Sequence, residues 1–97
     1  MKQFEGKVAV ITGGASGFGK EFARIGAQRG LKLVLADVQE DVLDTTVAEF
    51  KAQGAQVIGL RTDVAKAEQV QALADAAMTA FGEVNLVFNN EIGRAHV

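Results

Sequence analysis

The chain has 97 residues, 48% of them hydrophobic and 23% charged, with a net charge of -2; it is one small domain with enough apolar material for a core and no basic surplus to hold a nucleic-acid backbone. It contains no cysteine and a single histidine, His96, which excludes a disulfide framework and a thiolate metal site and leaves too few ligands for a histidine cluster. The N-terminal MKQFEGKVAVIT is too brief an apolar stretch for a secretory signal, and no run approaches the ~20 apolar residues of a bilayer span, so neither a targeting segment nor membrane association is expected and the cytosol is the expected compartment.

The first element is a compact β-branched run, Lys7 to Thr12, whose near-continuous apolarity suits a strand buried on both faces of a parallel sheet. From Gly17 to Arg29 the residues Phe18, Phe22 and Ile25 fall on one helical stripe, and Gly30 is placed to close the helix in a left-handed turn. Strand two follows at Lys32 to Ala36. The pattern then repeats, with a helix over 39–53 carrying Leu43, Val47 and Phe50 on one face and ended by Gly54, then a strand over 56–61. A third helix over 66–81 has Val70, Leu73, Ala77 and Phe81 at helical spacing with Gly82 behind it, and Val84 to Phe88 is the fourth strand.

Strands alternating with helices through short connections are the sequence form of consecutive βαβ units. They predict an α/β fold, the first half of a Rossmann-type doubly wound parallel sheet, with four strands in the order 3-2-1-4 and three helices. In that order the topological switch point lies between strands one and four, so the loop after strand one and the pair Asn89-Asn90 after strand four meet at one crevice, at the carboxyl ends of the strands.

The loop after strand one, TGGASGFGKE, overlaps two phosphate-binding patterns. A nucleoside-triphosphatase loop needs Ser or Thr directly after Gly-Lys to ligate magnesium, and the chain has Glu21 there, which removes the hydroxyl and adds negative charge. The dinucleotide pattern fits better, although the spacing is TGxxxGxG and not the common GxGxxG. Glycines let the chain turn sharply and approach a pyrophosphate, while the following helix aims free N–H groups and its positive end at the phosphates.

With TGGASGFG after strand one, Asp37 closing strand two, Asp63-Val64 closing strand three and Asn89-Asn90 closing strand four, the chain resembles the short-chain dehydrogenase/reductase family over residues 4 to 90. The resemblance implies that Gly13, Gly17 and Gly19 shape the loop and that the backbone around Ser16 and Phe18 meets the cofactor. Asp37, 18 residues after Gly19, would accept hydrogen bonds from the adenosine ribose. Its charge opposes a 2′-phosphate and Val38 stands where an Arg would have favoured one, so NAD is expected over NADP. Asp63 would contact the adenine amino group and Val64 line the ring pocket, while Asn89 and Asn90 brace the sheet beside the cofactor. Plainer roles remain open beside these: a strand-to-helix turn for the glycines, and helix caps for Asp37 and Asp63.

After Asn90 the family pattern continues Ala-Gly, whereas this chain reads EIGRAHV. Those residues are the translation of GAGATCGGAAGAGCACACGTC, a guanine followed by the start of a common sequencing-library adapter, and every alanine codon begins with guanine. Residues 91–97 are therefore read as a non-native tail and 1–90 as the N-terminal part of a dinucleotide-binding domain. The family's catalytic Ser and Tyr-x3-Lys would lie beyond this point, and the chain has no tyrosine. The expected parent is an NAD(P)-dependent oxidoreductase moving a hydride between nicotinamide and a small alcohol or carbonyl substrate. The resemblance also implies that the parent is a homo-oligomer. The 97-residue chain alone is expected to be inactive, with a non-catalytic dinucleotide-binding module as the alternative.

Overall fold

A computed structural model describes residues 4–90; the reading of 91–97 as adapter-derived lies outside the described residues. Seven elements follow one another: β1 (Val8–Thr12), α1 (Gly17–Gln28), β2 (Lys32–Asp37), α2 (Glu40–Ala52), β3 (Val57–Arg61), α3 (Ala67–Phe81) and β4 (Leu86–Asn89). The strands pair in parallel in the order β3-β2-β1-β4, as the βαβ rhythm predicts. Register aligns the strand ends: Thr12 lies beside Ala36 on one side and Asn89 on the other.

All five β1 residues are buried, because β1 is flanked by strands on both edges and by helices on both faces. α1 and α2 cover one face, where Ala9, Ile11, Leu33 and Leu35 meet Ala23, Leu43 and Phe50. α3 covers the other, with Leu73 and Ala77 against Val8, Val10, Val34 and Ala36. Each fully buried Leu or Val here contributes about 1.5–3 kcal/mol of transfer free energy, so the two small clusters are the main force holding the strand ends in register.

The helix ends follow the glycines. Gly30, Gly54 and Gly82 have φ of 87°, 90° and 79°, a region that L side chains enter only at a penalty of roughly 1–2 kcal/mol. Boundaries move by a residue or two from the sequence reading: β2 includes Asp37, and β4 begins at Leu86 and not at Val84.

The face of α1 differs from the expected stripe. Its buried residues are Gly19, Ala23 and Gly26, while Phe18 is 75% and Ile25 39% exposed, and on α3 Val70 is likewise 41% exposed. Close approach selects the small residues. A Cβ on Gly26 would come within 2.6 Å of Leu31 Cδ1, and one on Gly19 would overlap the Gly13 carbonyl, so α1 lies too near the sheet for large side chains along its centre. Only Phe22 of the predicted stripe packs inward, stacking on Phe88 of β4 with ring centroids 4.5 Å apart.

Candidate functional site

Three chain segments converge at the carboxyl ends of the strands, and hydrogen bonds lace them together. The first is the loop between β1 and α1. Gly13 and Gly17 have φ of 65° and 55°, the left-handed region that glycine enters without penalty. Gly14 N–H donates to the Ala36 carbonyl at 3.0 Å, tying the turn to the end of β2. Gly19 fits against the loop it follows: a Cβ there would also come within 2.9 Å of Asn90 Nδ2.

The N-terminus of α1 adjoins this loop. Ser16 is its N-cap residue in an extended conformation, without a side-chain cap bond, as at α2 and α3; α1 differs in having no acidic residue in its first turn, where α2 has Glu40 and Asp41 and α3 has Glu68. The first N–H groups of α1 therefore lack an intrahelical acceptor, and the helix's own first turn supplies no carboxylate to its positive end. Glu21, the residue that breaks the triphosphatase pattern, is exposed and turns to Arg24 on its own helix. The Arg24 hydrogen bond holds its carboxyl below the ordinary range, so its charge is paired away from the loop.

The second segment is the end of β2. One oxygen of Asp37, Oδ2, accepts the Ala15 N–H of the loop at 3.1 Å, and the other, Oδ1, accepts the Gln39 N–H at 3.2 Å. Asp37 does not cap α2, whose N-cap residue is Gln39. Its main chain continues the lacing, because the Asp37 carbonyl accepts the Thr62 N–H at 3.0 Å. Thr62, 2% exposed, sits directly before Asp63. Asp63 likewise does not cap α3, which starts from Lys66; its Oδ1 accepts the Ala65 N–H at 3.0 Å, and its own N–H is held by Gln69 Oε1 at 2.7 Å.

The third segment is Asn89-Asn90. The Thr12 hydroxyl donates to Asn89 Oδ1 at 2.6 Å and accepts the Asn90 N–H at 3.1 Å. Asn90 Nδ2 then donates to the Gly13 carbonyl at 3.3 Å. Asn89 is exposed and Asn90 half-buried, so these bonds spare no buried amide; they fasten the end of β4 to Thr12 and Gly13. No buried side-chain polar atom lacks a partner among the described residues.

Of the residues singled out from sequence, Gly13, Gly17, Gly19, Ser16, Phe18 and Asn90 thus gather around one turn, with Asp37 against its flank. Asp63 and Val64, both half-buried, stand one strand further out, joined to Asp37 through Thr62. The sequence reading assigned no role to Thr12, Ala15, Thr62 or Gln69. Of these, Gln69 carried a signal, since it stands three residues after Lys66 at the position from which a Gln can reach back over a helix start. Among the described residues there is no group of three or more acidic or histidine side chains that could hold a metal, and no helix long and apolar enough to cross a membrane.

A parallel sheet in this order, with a glycine turn after β1 and acidic residues ending β2 and β3, defines a dinucleotide-binding type of fold. Comparison with known proteins agrees: residues 7–93 match the model of the short chain dehydrogenase family. The chain is 50% identical over 90 residues to SadH of Mycobacterium tuberculosis, covering 93% of this chain and 33% of that protein. It is 35% identical over 91 residues to the 7alpha-hydroxysteroid dehydrogenase of Escherichia coli, covering 94% and 36%. Among solved structures, a short chain dehydrogenase/reductase from Burkholderia phymatum in complex with NAD superposes with a TM-score of 0.87 at 62% identity, covering 90% of this chain and 31% of that one. The chain belongs to the short-chain dehydrogenase family. It spans about a third of the length of the curated relatives it matches.

Proposed function

We propose that this chain is the cofactor-holding part of an oxidoreductase that uses NAD, and that the full-length parent moves a hydride between nicotinamide and an alcohol or carbonyl compound. The observation that carries the reading is the bond from the Ala15 N–H to Asp37 Oδ2, which joins residues 22 positions apart. It puts a carboxylate against the flank of the glycine turn, as a ligand would need whose phosphate adjoins a ribose with free hydroxyls. Support comes also from the NAD complex of the Burkholderia phymatum relative.

The residues fit such a ligand by their own chemistry. The backbone of Gly13, Ser16, Gly17, Phe18 and Gly19 frames a turn whose helix end, without a side-chain cap, would meet the charge of a pyrophosphate. Asp37 would accept the ribose hydroxyls and repel a 2′-phosphate, Asp63 and Val64 would receive the adenine, and Asn90 would hold the Gly13 carbonyl so that the turn keeps its shape. When bound, the nicotinamide supplies hydride acceptance or donation. The proton-transferring Ser, Tyr and Lys belong to the parent beyond residue 90, with 91–97 a tail of adapter origin, so the chain by itself is inactive.

Calorimetric titration with NAD and NADP tests the binding half. NAD should bind at least about tenfold more tightly, a difference of about 1.4 kcal/mol, and the double substitution Asp37→Ala with Val38→Arg should invert the order. Equal affinities in the unsubstituted chain would sink the NAD assignment. Reading the gene past codon 90 from source DNA tests the catalytic half: the frame should run through Ala-Gly to a Ser and a Tyr-x3-Lys. A natural stop after Val97 would leave a binding module without hydride transfer.

A further inference from the structure

Gln69 lies on the first turn of α3, yet its side chain does not close its own helix. The N-cap residue of α3 is Lys66, whose N–H is already taken by the Asp63 carbonyl at 3.0 Å. The Gln69 side chain reaches past it, and Oε1 accepts the Asp63 N–H at 2.7 Å. An ordinary capping box ends at the N-cap; this one extends three residues further, to the residue that closes β3.

Within the segment Asp63 to Lys66, Ala65 N–H donates to Asp63 Oδ1 and Lys66 N–H to the Asp63 carbonyl, and the Lys66 carbonyl accepts the Gln69 and Val70 N–H groups of α3 at 3.0 and 3.1 Å. None of these bonds holds the Asp63 N–H, so all of them would survive if the start of the turn rotated about Lys66. Gln69 is the side chain that ties this turn to a helix anchored in the core by Leu73 and Ala77. With the Asp63 amide fixed and Oδ1 committed to Ala65, Oδ2 has no hydrogen-bond partner among the described residues and one defined direction.

We propose that Gln69 is a positioning residue for adenine recognition: by holding the Asp63 backbone amide it aims the free carboxylate oxygen of Asp63 at the exocyclic amino group of the base. This rests on the dinucleotide reading given above. It assigns to an uncharged residue on the outer layer of the fold a part in choosing the base.

The test compares NAD with nicotinamide hypoxanthine dinucleotide, in which a carbonyl replaces the adenine amino group, on the 97-residue chain and three variants. Gln69→Leu and Gln69→Lys remove the acceptor by different chemistry, while Gln69→Glu keeps one. The parent chain should prefer NAD by about tenfold or more, the gain expected of a hydrogen bond to a charged group. In the Leu and Lys variants NAD affinity should fall to that of the hypoxanthine analogue, whose own affinity stays unchanged, and Gln69→Glu should restore the preference. Hydrogen exchange at the Asp63 amide should be slow in the parent and the Glu variant and fast in the other two. Equal loss of both ligands in the Leu and Lys variants would mean a merely structural role and overturn the proposal, as would full retention of the preference. If the parent chain itself does not discriminate, the fault lies with the adenine contact of Asp63, and the role of Gln69 falls with it.

Discussion

One added carbon distinguishes the glycines that shape the site from those that only end helices. At Gly19 a Cβ would overlap the Gly13 carbonyl oxygen and press on Asn90 Nδ2, both fixed by β1 and β4. At Gly54 it would meet nothing within 4 Å, leaving only the strain of φ 90°. Gly19→Ala should therefore abolish dinucleotide binding and lower stability by roughly 2–4 kcal/mol. Gly54→Ala should lower stability by about 1 kcal/mol and leave affinity untouched. Chemical denaturation together with calorimetric titration of both variants separates the outcomes, and a Gly19→Ala chain that binds NAD normally would contradict the geometry. At this scale the gathering of Gly13, Gly17, Gly19 and Asp37 at one turn was legible, because a turn after a buried strand and an acid ending the next strand are signalled by residue type alone. Thr62 and Ala15 were not, since their part is played by backbone N–H groups that every residue possesses and only the folded register selects.

Within the elements, α1 shows where periodicity misleads. Phe18, Phe22 and Ile25 make a regular stripe, but the helix turns its small residues inward because the loop and Leu31 leave no room for large ones. Large side chains signal burial only where helix and sheet stand a full side chain apart, and glycine at positions 19 and 26 was the better cue. The aromatic that does reach the core, Phe22, clamps α1 to β4 through Phe88. A double-mutant cycle with Phe22→Leu and Phe88→Leu should give a coupling of about 0.5–1.5 kcal/mol, and additivity would show that the stack contributes no more than buried area. The Glu21–Arg24 pair on the same helix makes a pH prediction. Arg24 lowers the carboxyl pKa in the folded state, so the pair stabilises above the unfolded carboxylate pKa, and the effect is lost as pH falls through the depressed folded value. Glu21→Gln should cost little at neutral pH, since both groups are exposed. Thermal scans should show the gap to the parent chain closing in acid.

For the molecule as a whole, strand order was readable from the alternation of elements, since four parallel strands joined by helices have few sound arrangements. The open flank was readable too. Among the described residues β4 pairs with β1 alone, and Val87 on it is 69% exposed, a pairing hazard for an apolar edge. The 97-residue chain should self-associate in sedimentation runs, and Val87→Lys should reduce this without loss of folding; a chain that stays monomeric at all concentrations would count against the edge as a liability. The same pairing bears on the order of folding. β1 finds β2 close by in the chain, Val8 beside Lys32, but the Thr12 hydroxyl meets Asn89 across 77 positions, a closure that costs roughly 1 kcal/mol more in loop entropy. Local βαβ contacts are thus the early ones, and β4 docks late. Because Asn90 completes the glycine turn only when β4 has docked, the capacity to hold a dinucleotide should arise in the final folding phase, and a nucleotide present during refolding would trap the chain at its last step.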